Sequence, residues 1–264
     1  VDDNNPGTDA RIATEKLIKS IAENDNRIRY IKHPHNKNGA AARNTGLAVA
    51  RGKYISFLDS DDEYMPERLA KCVKELDSKK EDVAGVYTGC EFRRGGKTYN
   101  RFTSVKSGNF LVETLACRFM FCTGSNIFMR KSVIDKVNGF DESFLRHQDY
   151  EFLVRIFKNY SLTAIPEILV IKNNENFNLP DIDKMEAIKQ QYLDKFSSII
   201  QNLSQRERKY VYYANYISLA EQSLTQHKRD KANKFYQLAS DCRSLTLRDN
   251  LRKYALILMN YAKS

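Results

Sequence analysis

Residues 27 to 92 alternate strand, helix and strand with short links, and no other feature of the 264-residue chain constrains its fold as strongly. "RIRYIKH" reads as a short strand. The polar loop "PHNKNG" leads into "AAARNTGLAVARG", whose alanines and Leu47 favour a helix that Gly52 stops. "KYISFLD" follows as a mostly apolar strand. Residues 66 to 78 resume as a helix, with Pro66 at its start and Leu69, Cys72, Val73 and Leu76 at helical spacing, and "VAGVYTGCEF" is the next strand. Strands joined through helices tend to lie parallel, so the expected class is α/β, a mostly parallel sheet with flanking helices.

The flanking segments extend this pattern. Val1-Asp2-Asp3 reads as the end of a strand running into a turn at Asn4 to Gly7, and residues 8 to 24 carry Ile12, Leu17, Ile18 and Ile21 at helical spacing. From 95 to 130 the pattern loosens, with "GGKTYN" as a turn and "SNIFMRKSVI" as a strand entering a helix. "FDESFLRHQDYEFLVRIFKN" leads into a helix from about Tyr150, and "LTAIPEILVIKN" reads as two short strands broken by Pro166. From Pro180 onward Gly is absent and apolar positions recur every three or four residues in about four segments, which predicts an all-helical C-terminal region. Its helix from about Gln205 to Thr225 has Tyr210, Tyr213, Ala214, Ile217 and Ala220 on one stripe. That stripe suits a small bundle packed on the main domain, or a partner surface. Two units follow, 1–176 and 177–264.

Composition narrows the function classes. No apolar run approaches the ~20 residues that cross a bilayer. The formal charge of +10 suits an anionic partner, whether nucleotide phosphate or an acidic membrane face, or simply a solvated surface; the basic residues are dispersed, so nucleic acid is not an expected partner. The five cysteines, Cys72, Cys90, Cys117, Cys122 and Cys242, lack metal-ligand spacing and read as reduced, mostly buried thiols of a cytoplasmic protein.

The chemistry concentrates where "KYISFLDSDDEY" leaves its strand. In open α/β sheets ligands bind beyond the carboxyl ends of strands, and Asp2-Asp3 and Asp59, Asp61 and Asp62 all follow strands. Asp59 and Asp61, one residue apart, can point to the same side. Oxygen ligands favour a hard ion, Mg²⁺ or Mn²⁺, which keeps phosphates in its shell. An EF-hand is excluded because Tyr64 stands where its loop needs Gly. A haloacid-dehalogenase-type motif matches poorly because Glu63 stands where Thr or Val belongs. A solvated turn whose acids cap the next helix stays open for Glu63 and Glu67.

Three segments in order, "VDDNNPGTD", "NGAAARNTGLAVARGKYISFLDSDDEYMPERL" and "GFDESFLRHQDYEF", resemble the signatures of the family-2 glycosyltransferases with the GT-A (Rossmann-like) fold, over about residues 1 to 172. The resemblance implies an inverting, metal-dependent transfer from a nucleoside-diphosphate sugar, with a UDP-sugar expected, to a glycan or lipid-linked acceptor in surface polysaccharide synthesis. It places Asp3 at the nucleotide base, Arg43 at the nucleotide, and Asp59 and Asp61 as a DxD motif with Asp61 on the metal, Mn²⁺ or Mg²⁺. Asp62 becomes a donor contact, Gly124, Ser125 and Asn126 border the donor sugar, and Asp149 is the catalytic base. His147 would line the pocket. Two departures stand out. A strand and helix that usually precede "VDD" are lacking ahead of Val1, and Lys172, Asn173 and Asn174 replace a metal-binding His. The expected setting is the cytoplasmic face of a membrane, with peripheral contact and the helical tail as a route to homo-oligomers. The alternative is a non-catalytic nucleotide- or carbohydrate-binding module with a helical assembly tail.

Overall fold

The computed structural model describes residues 1–174 and 179–261, so the expected boundary between 176 and 177 lies outside the described residues. The α/β region contains α1 (Asp9–Ala22), α2 (Gly39–Val49), β1 (Tyr54–Ser56), β2 (Asp62–Tyr64), α3 (Arg68–Asp77), β3 (Val83–Arg94), β4 (Lys97–Phe102), α4 (Leu111–Leu115), β5 (Phe128–Arg130), α5 (Lys131–Lys136), α6 (Gln148–Phe157) and β6 (Ser161–Asn173). The C-terminal region is α7 (Ile182–Lys195), α8 (Ser197–Gln201), α9 (Gln205–Thr225), α10 (Arg229–Cys242) and α11 (Leu247–Tyr261). The helix of 205–225 thus forms where its spacing predicted it, opened by a capping box between Ser204 and Glu207.

The sheet runs β1-β5-β3-β6-β2, with β4 also on β3. Parallel pairing joins β3 to β6, and an isolated parallel bridge joins Asp2 to Lys32; the other described pairings are antiparallel. The α/β class and GT-A fold stand, but the pairing is less parallel than strand–helix alternation predicts. The reason is local. "RIRYIKH" contributes only the Lys32 bridge, while the loosely patterned stretch after β3 returns to the sheet as β4 and β5, reversing direction both times.

Residues 161–173 form one strand rather than two. Ile165 pairs with Thr88 and Ile168 with Gly89, so Pro166 and Glu167 bulge from the ladder, where the missing Pro N–H costs no sheet hydrogen bond. Gly89 is required there, because a Cβ would lie 2.9 Å from the carbonyl oxygens of both Glu167 and Phe102.

The sheet buries Cys72, Leu76, Val86, Phe128 and Leu169 under α3 on one side. On the other it buries Ala40, Ile55, Met129, Ile134, Phe152 and Leu153 under α2, α5 and α6. The helical region has its own core of Ile182, Met185, Ile217, Ala220, Phe235 and Ala239. A shared cluster joins the two, with Leu115, Phe144 and Val154 meeting Tyr192, Phe196, Ile200, Val211 and Ala214. Tyr213, Ala214, Ile217 and Ala220 of the stripe on α9 are buried, so that stripe faces a core. On α11, by contrast, Leu247, Leu251, Tyr254 and Leu258 are all more than 60% exposed along one helical line.

The cysteine reading needs correction. Cys90 and Cys122 form a disulfide, while Cys72, Cys117 and Cys242 are free. Linear spacing set Cys122 beside Cys117; the fold instead lays the segment before β5 across β3, which brings together two residues 32 apart.

Candidate active site

The acidic segment forms a tight turn. After β1 the Asp62 amide donates to the Asp59 carbonyl at 3.0 Å, which folds residues 59–62 back into β2. That turn gathers the carboxylates of Asp59, Asp61 and Asp62, with one oxygen of each within 4.8 Å of the others. The three differ in exposure: the Asp61 side chain is 55% open to solvent, Asp59 36%, and Asp62 fully covered. Glu63 lies in β2, not at a helix start, because the turn delays the helix to Arg68; its carboxylate accepts from Asn173 Nδ2 at 2.9 Å.

Arg43 projects from α2 across this cluster. Its guanidinium bonds Asp59 at 3.0 Å through Nη2 and Asp149 at 3.0 Å through Nη1, so it joins the acidic turn to the first turn of α6. Burial opposes the charge on Arg43, but Asp149 and Asp59 hold its pKa above the ordinary value. Desolvation pushes the Asp149 carboxyl up; Arg43 opposes that shift and Asp59 reinforces it. Gly124 makes this approach feasible. A Cβ there would lie 2.9 Å from Asp149 Oδ1 and 3.0 Å from Arg43 Nη2.

Ser125 and Asn126 sit beneath the site and are completely buried. Ser125 Oγ accepts from the Asp59 amide at 3.0 Å and thereby pins the turn. The Asn126 amide is occupied with Thr88 O at 2.6 Å and Phe121 O at 3.1 Å, and its oxygen accepts from Arg68 at 3.1 Å. Arg68, fully buried, also donates to Thr88 Oγ1 at 2.9 Å and lies 4.6 Å from the Tyr64 ring. Sequence reasoning missed Arg68 and its pairing with Asn126. The only signal was a charged residue at the start of an amphipathic helix, where exposure is the usual outcome.

Asp3 stands at the opposite wall. It faces His33 Nδ1 at 2.7 Å and accepts from the Lys37 amide at 2.9 Å. Asp2 is turned into the protein against Arg11 at 3.2 Å, so of the two acids Asp3 is the one that Asn36 and Lys37 frame. A trough of about 820 Å³ is lined by Asp3, Asn36, Arg43, Tyr54, Asp59 and Ser60, with Gly46, Leu47 and Ile55 also along its wall. His147 caps α6 in a left-handed conformation (φ 61°) and packs 5.8 Å from the Tyr150 ring; burial, with Lys189 and Arg146 nearby, lowers its pKa to about 3. A larger cavity, about 1130 Å³, is elsewhere, between α4 and the α9–α10 side, and Asp59, Asp61, Asp62 and Asp149 do not line it.

The acids fit a divalent cation. Their oxygens are hard ligands, Asp61 is open to solvent, and the buried Asp62 Oδ1 is met by an ammonium. Near that oxygen lies Lys172 of β6, its Nζ 3.1 Å from Asp62 Oδ1 and 3.8 Å from Asp61 Oδ2. Burial raises the Asp62 pKa against Ser125 and Lys172. Lys172, though burial works against its charge, is held above its ordinary value by Asp62, Asp61 and Asp59.

Among known proteins, the uncharacterized glycosyltransferase MJ1057 of Methanocaldococcus jannaschii is 29% identical over 168 residues, 62% of this chain and 57% of that protein. The UDP-Glc:alpha-D-GlcNAc-diphosphoundecaprenol beta-1,3-glucosyltransferase WfgD of Escherichia coli is 25% identical over 150 residues, 56% of this chain and 55% of that protein. The chain therefore spans little more than half the length of these curated relatives. The mannosyltransferase PcManGT of Pyrobaculum calidifontis, solved with GDP-Man and Mn²⁺, superposes with a TM-score of 0.52 at 17% identity, covering 97% of this chain and 68% of that one, and so shares the fold. Glycosyl transferase family 2, the family whose signatures these residues carry, matches residues 1–137, and the chain belongs to it.

Proposed function

We propose that the chain catalyses an inverting transfer of a sugar from a nucleoside-diphosphate sugar to an acceptor hydroxyl, with Asp149 as the base. The carrying observation is that Arg43, which lines the trough together with Asp59, ties Asp59 to Asp149, residues 90 apart in sequence. Asp149 takes the hydroxyl proton as the acceptor oxygen forms its bond to the anomeric carbon. The bond from that carbon to the diphosphate oxygen breaks on the opposite face, and its electron pair leaves with the nucleoside diphosphate. The raised Asp149 pKa favours this role, since a stronger conjugate base accepts the proton more readily. Asp3, with Asn36 and Lys37, frames the nucleotide base, and Arg43 stands beside the diphosphate. Asp61, with Asp59 beside it, would hold Mn²⁺ or Mg²⁺, which when bound offsets charge on the leaving diphosphate.

Gly124 borders the donor sugar, Ser125 and Asn126 support that border from below, and Asp62 anchors the turn. The glucosyl transfer from UDP-Glc to a diphosphoundecaprenol-linked sugar that WfgD carries out supports a UDP-sugar donor and a lipid-linked glycan acceptor, as in surface polysaccharide synthesis. The exposed line on α11, with Arg248 and Arg252 beside it, supports peripheral contact at the inner, cytoplasmic face of a membrane, or pairing of two chains through the tail. No described helix is long and apolar enough to cross a membrane.

The test is donor hydrolysis or transfer with Mn²⁺ across a panel of UDP- and GDP-sugars. Turnover that disappears in both Asp61→Ala and Asp149→Asn supports the reading. Turnover unaffected by either change overturns it.

A further inference from the structure

We propose that Lys172 is a tethered counter-ion of the DxD cluster, one that competes with the divalent ion for Asp61 and so sets how tightly the empty enzyme binds metal. The inference rests on the proposed reading of the carboxylates as a metal site and assigns a role to a residue outside it.

Placement of Lys172 is dictated by the ladder. β2 and β6 pair antiparallel with Asp62 directly opposite Lys172, and directly opposed residues send their side chains to the same face. The bulge at Pro166 and Glu167 shifts β6 relative to β3 upstream of this point. A slip of one residue would turn Lys172 to the other face and bring Ile171 or Asn173 opposite Asp62 instead. The ammonium therefore lies against Asp62 at 3.1 Å by construction, not as a surface lysine that happened to fold inward.

The local charge count shows what it does. Asp59, Asp61, Asp62 and Asp149 face two cations, Arg43 and Lys172. Arg43 is committed to Asp59 and Asp149 by short hydrogen bonds, whereas Lys172 makes an ion pair with Asp62 and only a 3.8 Å approach to Asp61. The cluster keeps a net negative charge that draws a cation, yet a fixed positive charge stands beside the most exposed carboxylate. Repulsion between a divalent ion and an ammonium at such range lowers affinity until anionic phosphate enters and compensates both.

Mn²⁺ binding without nucleotide, followed by electron paramagnetic resonance or calorimetry, tests this. Lys172→Met and Lys172→Gln should bind Mn²⁺ roughly ten-fold more tightly than wild type, a change expected for one charge at short range in a partly solvated site. Lys172→Arg, which keeps the charge, should stay within about two-fold of wild type on the same argument. Gln offers Asp62 a neutral donor should Met leave that buried carboxylate too poorly paired to fold, and thermal melts of each variant identify that case. Equal or weaker Mn²⁺ binding by the folded neutral variants overturns the role of Lys172; if Asp61→Ala still abolishes binding, the metal site itself stands. No Mn²⁺ binding by wild type or by either neutral variant overturns both.

Discussion

The α/β region and the helical region bury different things. Under the trough, the fully covered side chains include Asp62, Arg68, Thr88, Ser125 and Asn126, a layer of polar groups held by one another beneath an open cleft. In the helical region the core is apolar, Ile182, Ile217, Phe235 and Ala239 among others, and its conspicuous buried polar contact is Lys189 with Asn215 at 3.0 Å. Buried polar networks are costly unless satisfied, so their concentration marks where geometry is held for chemistry; an apolar bundle marks where it is held for stability. Variants on the two sides should therefore fail in different ways.

The largest expected effect is on the trough side. Asp149→Asn keeps the shape of the side chain and removes the proposed proton acceptor, so kcat should fall by about a thousand-fold with little change in melting temperature. On the proposed reading the same residue fixes the acid limb of the pH profile. Its raised pKa means activity is lost, as pH falls, at a higher pH than an ordinary aspartate would give. Arg43→Met, which removes the group holding that pKa down, should move the limb to still higher pH. A limb that stays put in Arg43→Met would separate Asp149 from the observed ionisation.

On the helical side Phe235→Ala should cost about 3–5 kcal/mol by truncating a ring that is 2% exposed, while activity per folded molecule stays near wild type. Denaturant midpoints and titration of folded enzyme separate the two readouts; a large loss of kcat in fully folded protein would break the contrast between the regions. Gly124→Ala returns to the trough. Its new methyl must displace the Asp149 carboxylate or Arg43, and a small misplacement of reacting groups can cost on the order of a hundred-fold, so kcat should drop by roughly ten- to a hundred-fold with modest loss of stability.

These contrasts also explain what was legible in the sequence. Helix spacing located α9 and the buried positions of its stripe, because a 3.6-residue period is local. The clustering of Asp59, Asp61 and Asp62, and of Asp149 with them, a link that Arg43 makes, was expected from their neighbours, since carboxylates at strand and helix ends are a chemical signal that short windows carry. Lys172 was noticed only as a departure, and its pairing with Asp62 depends on the register of two strands 110 residues apart, which no local pattern encodes. Arg68 was invisible for a related reason. Its value comes from Asn126 and Thr88, which converge on it only after β3, the 124–126 turn and α3 have packed. The disulfide failed likewise: proximity of Cys90 to Cys122 is a property of the sheet, not of spacing.

The smallest effect tests whether the two regions are independent. Lys195, at the end of α7, lies 2.6 Å from Glu151, whose side chain is fully buried on α6 only two residues beyond Asp149, and it also reaches Asp141. Glu151 keeps a second cation, Arg155, at 2.7 Å, so Lys195→Met does not leave a buried charge unpaired. The expected loss is about 1 kcal/mol, discounted because the lysine is 30% exposed, and should appear as a melting temperature a few degrees lower. Since α6 stays anchored by Phe152, Leu153 and Ile156 in the sheet-side core, kcat should fall by less than about five-fold. A loss approaching that of Asp149→Asn, in protein that melts normally, would mean that the helical region sets the position of Asp149 through this one contact. The contrast between a chemical half and a stabilising half would then give way to a single unit hinged on α6.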